Sequence, residues 1–101
     1  MAEDVSTFSW PAGHPVFAGH FPGRPIVPGV MLLEWVLGEC ARRRGVATSA
    51  LRVREAKFFR PLQPEQSAEL LLEPGAARFV FRIVHGEAAI AGGIVEWDGD
   101  A

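Results

Sequence analysis

The chain has a single cysteine, no tyrosine, two methionines and three histidines in 101 residues. One thiol excludes an intramolecular disulfide framework and suits a reducing compartment, so the cytoplasm is the expected location. No apolar run exceeds four residues, as in Val30–Leu33, which is too short to cross a membrane. Met1-Ala2-Glu3-Asp4 is acidic and lacks the apolar stretch of a secretory signal. The net charge of −2 provides no basic field for wrapping nucleic acid. His-x-His, H-E-x-x-H and C-x-x-C are all missing, so no metal site is expected. No glycine signature of a nucleotide site is present either; Gly92-Gly93 falls within a strand pattern and reads as a bulge or a close approach. Without linker, repeat or low-complexity tract, residues 1–101 read as one domain.

What is present is ordinary globular composition, 49% hydrophobic and 22% charged. A chain this short buries only about 60–70% of its unfolded surface. A binding cavity would erode that core further, so a second subunit is expected to supply part of any cavity wall.

Val5–Trp10 alternates weakly, as a strand would. Residues 19–29, Gly-His-Phe-Pro-Gly-Arg-Pro-Ile-Val-Pro-Gly, hold three prolines and three glycines and predict an irregular loop of nearly fixed path. A helix follows over residues 30–44, with Arg42, Arg43 and Arg44 in its last turn and Gly45 just beyond. Its first two turns are apolar on nearly every side, which predicts burial all round. Near-alternating patterns then predict strands over 51–60, 67–73, 78–85 and 88–97, with a hairpin turn at His85-Gly86-Glu87. The fold class is α+β, an antiparallel sheet curled round one buried central helix.

Glu34 stands between Leu33 and Trp35 in the most apolar part of that helix. It is either exposed or paired with an arginine, or else a carboxylic acid kept protonated near neutral pH as a proton donor. Glu39, five residues on, is rotated away by about 140° and reads as solvated or as a partner for Arg43. His20 sits in the stiff loop, where Gly19 and Pro22 fix the backbone as a general base requires. His14 and His85 lie in turns and read as structural. Pro28-Gly29 opens the helix, where unpaired N–H groups and the absence of a side chain would let a carbonyl oxygen approach. Cys40 reads as core packing, ahead of a Cys–His nucleophile.

Gly19-His20-Phe21-Pro22-Gly23-Arg24-Pro25-Ile26-Val27-Pro28-Gly29-Val30, with Glu34 fourteen residues after the histidine, resembles the signature of the hot-dog-fold 3-hydroxyacyl-acyl-carrier-protein dehydratases. Lys57-Phe58-Phe59-Arg60-Pro61-Leu62-Gln63-Pro64 is similar to that family's second motif, and the resemblance extends over about residues 8–97. Trp35 after the acid, and the short stretch before the His loop, look like the compact dehydratases of aryl-polyene and related lipid clusters. Pro64-Glu65-Gln66 departs from the family's Pro-Gly-Asp turn.

The resemblance implies dehydration of a 3-hydroxyacyl thioester to a trans-2-enoyl thioester, with no cofactor beyond the phosphopantetheine arm of an acyl carrier protein. His20 matches the base at C2, Glu34 the acid at the 3-hydroxyl, and the Gly29 N–H the donor to the thioester carbonyl. Phe21, Pro28, Val30, Phe58 and Phe59 would line the substrate path. Lys57 and Arg60 are the first candidates for carrier docking and Arg42–Arg44 the second. The resemblance also implies a homodimer whose active sites are shared across the interface. A hot-dog thioesterase, or a catalytically silent partner subunit, are the competing readings.

Overall fold

A computed structural model describes residues 4–17 and 25–98. Strand β1 (Asp4–Phe8) leads through a short 3₁₀ turn to helix α1 (Gly29–Arg44). Strands β2 (Arg52–Phe58), β3 (Ala68–Pro74), β4 (Arg78–His85) and β5 (Ala88–Glu96) follow. They form one antiparallel sheet in the order β1-β3-β4-β5-β2, which leaves β1 and β2 at its edges. The predicted helix and four later strands stand within two residues of their expected ends.

Alternation decides the faces. Phe79, Phe81 and Ile83 of β4 are buried, while Arg78, Val80 and Arg82 between them are exposed. Leu70 and Leu72 of β3 and Val95 of β5 join the same buried face. Helix α1 lies on it through Leu32, Val36, Cys40 and Ala41. These positions fall at the three- and four-residue spacing of one helical stripe.

The expectation of a helix buried all round is corrected here. Val30 is 63% exposed and Glu34 is exposed, because one sheet covers one side of a helix and the described residues form one sheet. The far end of α1 is closed tightly. Gly45, at φ 73°, and Val46 both donate to the Ala41 carbonyl, a Schellman-type end. Arg44 lies over the Trp97 ring, 4.6 Å from its centroid, and Trp97 packs on Phe79, tying the helix C-terminus to the sheet. At the end of β5, Glu96 accepts from Arg54 and Arg52, and these bonds hold its carboxyl below the usual range. The β4–β5 turn is the expected one: Gly86 takes φ 61° at its first central position, as a type II′ hairpin requires.

Gly93 marks a close approach, as its sequence position suggested. A Cβ there would stand 2.0 Å from the Glu55 carbonyl oxygen and 2.8 Å from the Phe81 ring. The neighbouring β2 bulges at Arg54, between Val53 and Glu55. Gly93→Ala must push backbone apart and is expected to cost about 1–3 kcal/mol, the range for overpacking. Denaturant unfolding checks it; a variant within about 0.5 kcal/mol of wild type would contradict the contact.

Candidate active site

The segment entering α1 is pinned before the helix begins. The Val27 N–H donates to the Leu62 carbonyl at 2.7 Å, joining the first motif to the second. Pro28 then occupies the N-cap position at φ −60° and ψ 145°, with no side chain to cap the helix. The N–H groups of Gly29 and Val30 therefore find no acceptor among the described residues. Proline at this point leaves the helix start open and its partial positive charge available.

Gly29, Leu32, Phe58, Phe59, Arg60 and Leu62 line one groove of about 340 Å³. Residues from both motifs thus meet, as their shared chemistry would require. The Phe58 ring lies across Gly29, with a ring carbon 3.0 Å from where a Gly29 Cβ would stand. A Cβ at 29 would crowd that ring and require it to give by a few tenths of an ångström, so glycine suits this approach to the helix start. Phe58 and Phe59 are 52% and 58% exposed, and with Val30 they leave apolar surface round the groove open to water.

Glu34 lies one turn beyond Val30, on the open side of α1. It has no hydrogen bond or ion pair among the described residues. Among the described residues Glu34 thus forms no structural ion pair with an arginine, and those residues leave it exposed. Its direction is set by its neighbour. Trp35 packs edge-on against Trp10 at 5.6 Å and tilted against Phe8 at 6.1 Å, while Phe8 and Trp10 meet edge-on at 4.7 Å. On the next turns Ser6 donates to Glu39 at 2.9 Å, and Arg42 also bonds Glu39. These contacts fix the roll of α1 against β1 and hence where Glu34 points. The sequence reading missed Phe8, Trp10 and Ser6 as positioning residues; the one available signal was a tryptophan directly after the acid. Glu39, read as solvated or as a partner for Arg43, bonds Ser6 and Arg42.

His20 and Phe21 lie outside the described residues. His14 and His85 are structural: His14 Nδ1 accepts from the Val16 N–H at 3.0 Å, and His85 donates to the Ser67 carbonyl at 2.7 Å. Cys40 is wholly buried, and burial, followed by the charge of Glu39, pushes its thiol up to about 12. It is no nucleophile at neutral pH. Of the two docking candidates, Arg60 lines the groove beside Gly29, whereas Lys57 lines a separate groove on the outer sheet face with Glu55, Val80, Arg82 and Ile94. The departure at Pro64-Glu65-Gln66 also has a structural form. Glu65 adopts φ 70°, a conformation that suits glycine, and its carboxylate accepts the Ala12 N–H while its own N–H donates to the Trp10 carbonyl.

Residues 3–94 match the model of the ApeI-like family, described as ApeI dehydratase. A 3-hydroxyacyl-acyl-carrier-protein dehydratase, FabZ, of Rhizobium rhizogenes is 32% identical over 91 residues, covering 83% of this chain and 58% of the relative. The FabZ of Rhodopseudomonas palustris is 32% identical over 90 residues, covering 80% of this chain and 60% of the relative. The chain thus spans under two thirds of the length of these relatives. Among solved structures, the dehydratase heterocomplex ApeI:P from Xenorhabdus doucetiae aligns at a TM-score of 0.73 with 22% identity, over 94% of this chain and 86% of that one. A probable thioesterase from Bartonella henselae aligns at 0.64 with 24% identity, over 95% of this chain and 88% of that one. The sheet order, the one α-helix among the described residues and the joined motifs agree with this likeness: the chain has the hot-dog fold and belongs to the ApeI-like dehydratase family.

Proposed function

We propose that the chain dehydrates a 3-hydroxyacyl thioester, carried on an acyl carrier protein, to the trans-2-enoyl thioester. The observation that carries this reading is the open, uncapped start of α1 at Gly29, set in an apolar groove, with Glu34 one turn along the same helix. Removing the C2 proton places negative charge on the thioester oxygen. The Gly29 N–H, at the positive end of the helix, is the donor to that oxygen. His20 takes the C2 proton. Glu34 gives a proton to the departing 3-hydroxyl, which leaves as water, and the electron pair of the broken C2–H bond becomes the new double bond.

Glu34 faces away from its own chain's core, so the site is completed by a second copy. In this homodimer His20 of one chain works opposite Glu34 of the other, and the exposed Val30, Phe58 and Phe59 become the inner wall. The match to the ApeI-like model supports a place with the compact dehydratases that Trp35 resembles.

The purified chain with a 3-hydroxyacyl carrier substrate is expected to raise enoyl absorbance without releasing free thiol. His20→Ala should lower the rate by about 10²–10⁴-fold, the usual contribution of a general base, while leaving the fold unchanged by circular dichroism. Thiol release from a saturated acyl thioester would point instead to a thioesterase. No turnover of either substrate would point to a silent subunit.

Carrier docking falls to Arg60, the cation at the groove. Acyl carrier proteins are acidic, and a rim charge acts mainly on association. Arg60→Glu should lower kcat/KM for the carrier-linked substrate and spare a coenzyme-linked one; equal loss on both would contradict docking.

A further inference from the structure

The base proposed at His20 can act only if the chain on both sides of it is held in place. On the far side, the Val27 N–H donates to the Leu62 carbonyl at 2.7 Å. On the near side, the Glu65 N–H donates to the Trp10 carbonyl at 2.8 Å, and the Glu65 carboxylate accepts the Ala12 N–H at 2.9 Å. Tight turns then lead on to buried Phe17. The His14 N–H donates to the Pro11 carbonyl at 2.9 Å, and the Phe17 N–H to the His14 carbonyl at 3.0 Å. Ala12, Pro25, Ile26 and Glu65 border one groove of about 370 Å³, so the two flanks come together beside Glu65. The stretch from Leu62 to Glu65 thus holds both.

These bonds are not alike. Two of them run from backbone to backbone and ask nothing of the side chains. The bond to Ala12 needs the carboxylate of Glu65. That carboxylate is not needed to close its own turn. The Gln63 N–H donates to Gln66 Oε1 at 2.8 Å, and the Gln66 N–H donates to the Gln63 carbonyl at 3.3 Å.

Glu65 reaches Ala12 from an unfavourable conformation. At φ 70° it lies in the left-handed region, where a Cβ crowds the carbonyl that follows, and no other non-glycine among the described residues does so. Glycine would take this φ without strain and would keep the N–H bond to Trp10. The bond to Ala12 is exposed to water, and such bonds add little net stability. Stability alone therefore favours glycine at 65. What glutamate supplies and glycine cannot is the hold on Ala12. A strained residue kept beside a reacting segment points to function.

We infer that Glu65 is a positioning residue for the dehydration: its carboxylate holds the entry to the His20 segment and so sets the base against the substrate. This rests on the reaction and the base proposed above, and adds the residue that holds the base. Glu65 acts through Ala12 and touches no reacting atom. Losing it leaves the groove at Gly29 intact, because that groove is built by Val27, Leu32, Phe58 and Leu62. The loss therefore falls on kcat and spares KM.

The test compares wild type, Glu65→Gly and Glu65→Gln by denaturant unfolding and by steady-state dehydration of a coenzyme-linked 3-hydroxyacyl thioester. Glu65→Gly should unfold at a denaturant concentration equal to or above that of wild type. It should nevertheless lose about tenfold or more in kcat with KM within about twofold, since a misplacement of about 1 Å can cost about 10²-fold. Glu65→Gln keeps an oxygen that can accept the Ala12 N–H and should return to within about threefold of the wild-type kcat. A glycine variant with wild-type kcat would overturn the inference. So would a loss of rate that comes with a lower unfolding midpoint or a failure to fold, which would make Glu65 part of the fold alone. A glutamine variant that folds but is as slow as the glycine one would overturn it too, because charge and not the hold on Ala12 would then matter. A wild-type chain that dehydrates nothing contradicts the reaction, and the positioning role falls with it. An active wild type beside an equally active glycine variant contradicts the positioning role alone.

Discussion

One sheet can cover one side of a helix, and the rest of this structure depends on that constraint. Leu32, Val36, Cys40 and Ala41 fill the covered side of α1. The other side, carrying Val30 and Glu34, is left without cover although its neighbours are apolar. A small chain would be expected to hide such a helix completely if it worked alone. Leaving it open costs core, and the open side is where the acid stands. In the proposed reaction, stability and chemistry divide between the two sides of one helix.

That division works only if the helix cannot roll. Three contacts of different kinds hold it. The Phe8–Trp10–Trp35 cluster wedges its first half against β1, the Ser6–Glu39 bond holds its middle, and Arg44 over Trp97 holds its end. Each is modest alone, since edge-on aromatic pairs contribute about 0.5–1.5 kcal/mol beyond burial. Spread along sixteen residues, they resist rotation in a way that one strong contact could not. At the other end of the site, the Val27–Leu62 hydrogen bond and Glu65 in its glycine-like turn hold the two motif segments side by side. The groove beside Gly29 is the space that remains between them.

Much of this was legible in the sequence, for identifiable reasons. The helix limits follow from Pro28, Gly29 and Gly45, whose backbone requirements are local. The hairpin at Gly86 and the close approach at Gly93 follow from glycine in places where a side chain has no room or the wrong φ. The choice of Gly29 and Glu34 as candidate site residues came from spacing together with the resemblance, and both lie on the first turns of α1. What was not legible depends on contacts between distant segments. Periodicity reported α1 as apolar all round, and it could not say that one sheet would leave a side bare. Ser6 and Glu39 are 33 residues apart, and no local pattern joins them. Nor could alternation alone separate Lys57 from Arg60, which differ in the face they reach only because Phe58 ends β2 between them.

The central claim is that each site is built from two chains, and one reconstitution tests it directly. His20→Ala and Glu34→Gln chains, each inactive alone, are denatured together, refolded and assayed for dehydration. In a mixed two-fold dimer one site carries both substitutions and the other carries neither. Random pairing makes about half the dimers mixed, so activity should return to about a quarter of wild type. If mixed dimers are shown to form by a mass tag on one chain and no activity returns, each site lies within a single chain and the account is wrong.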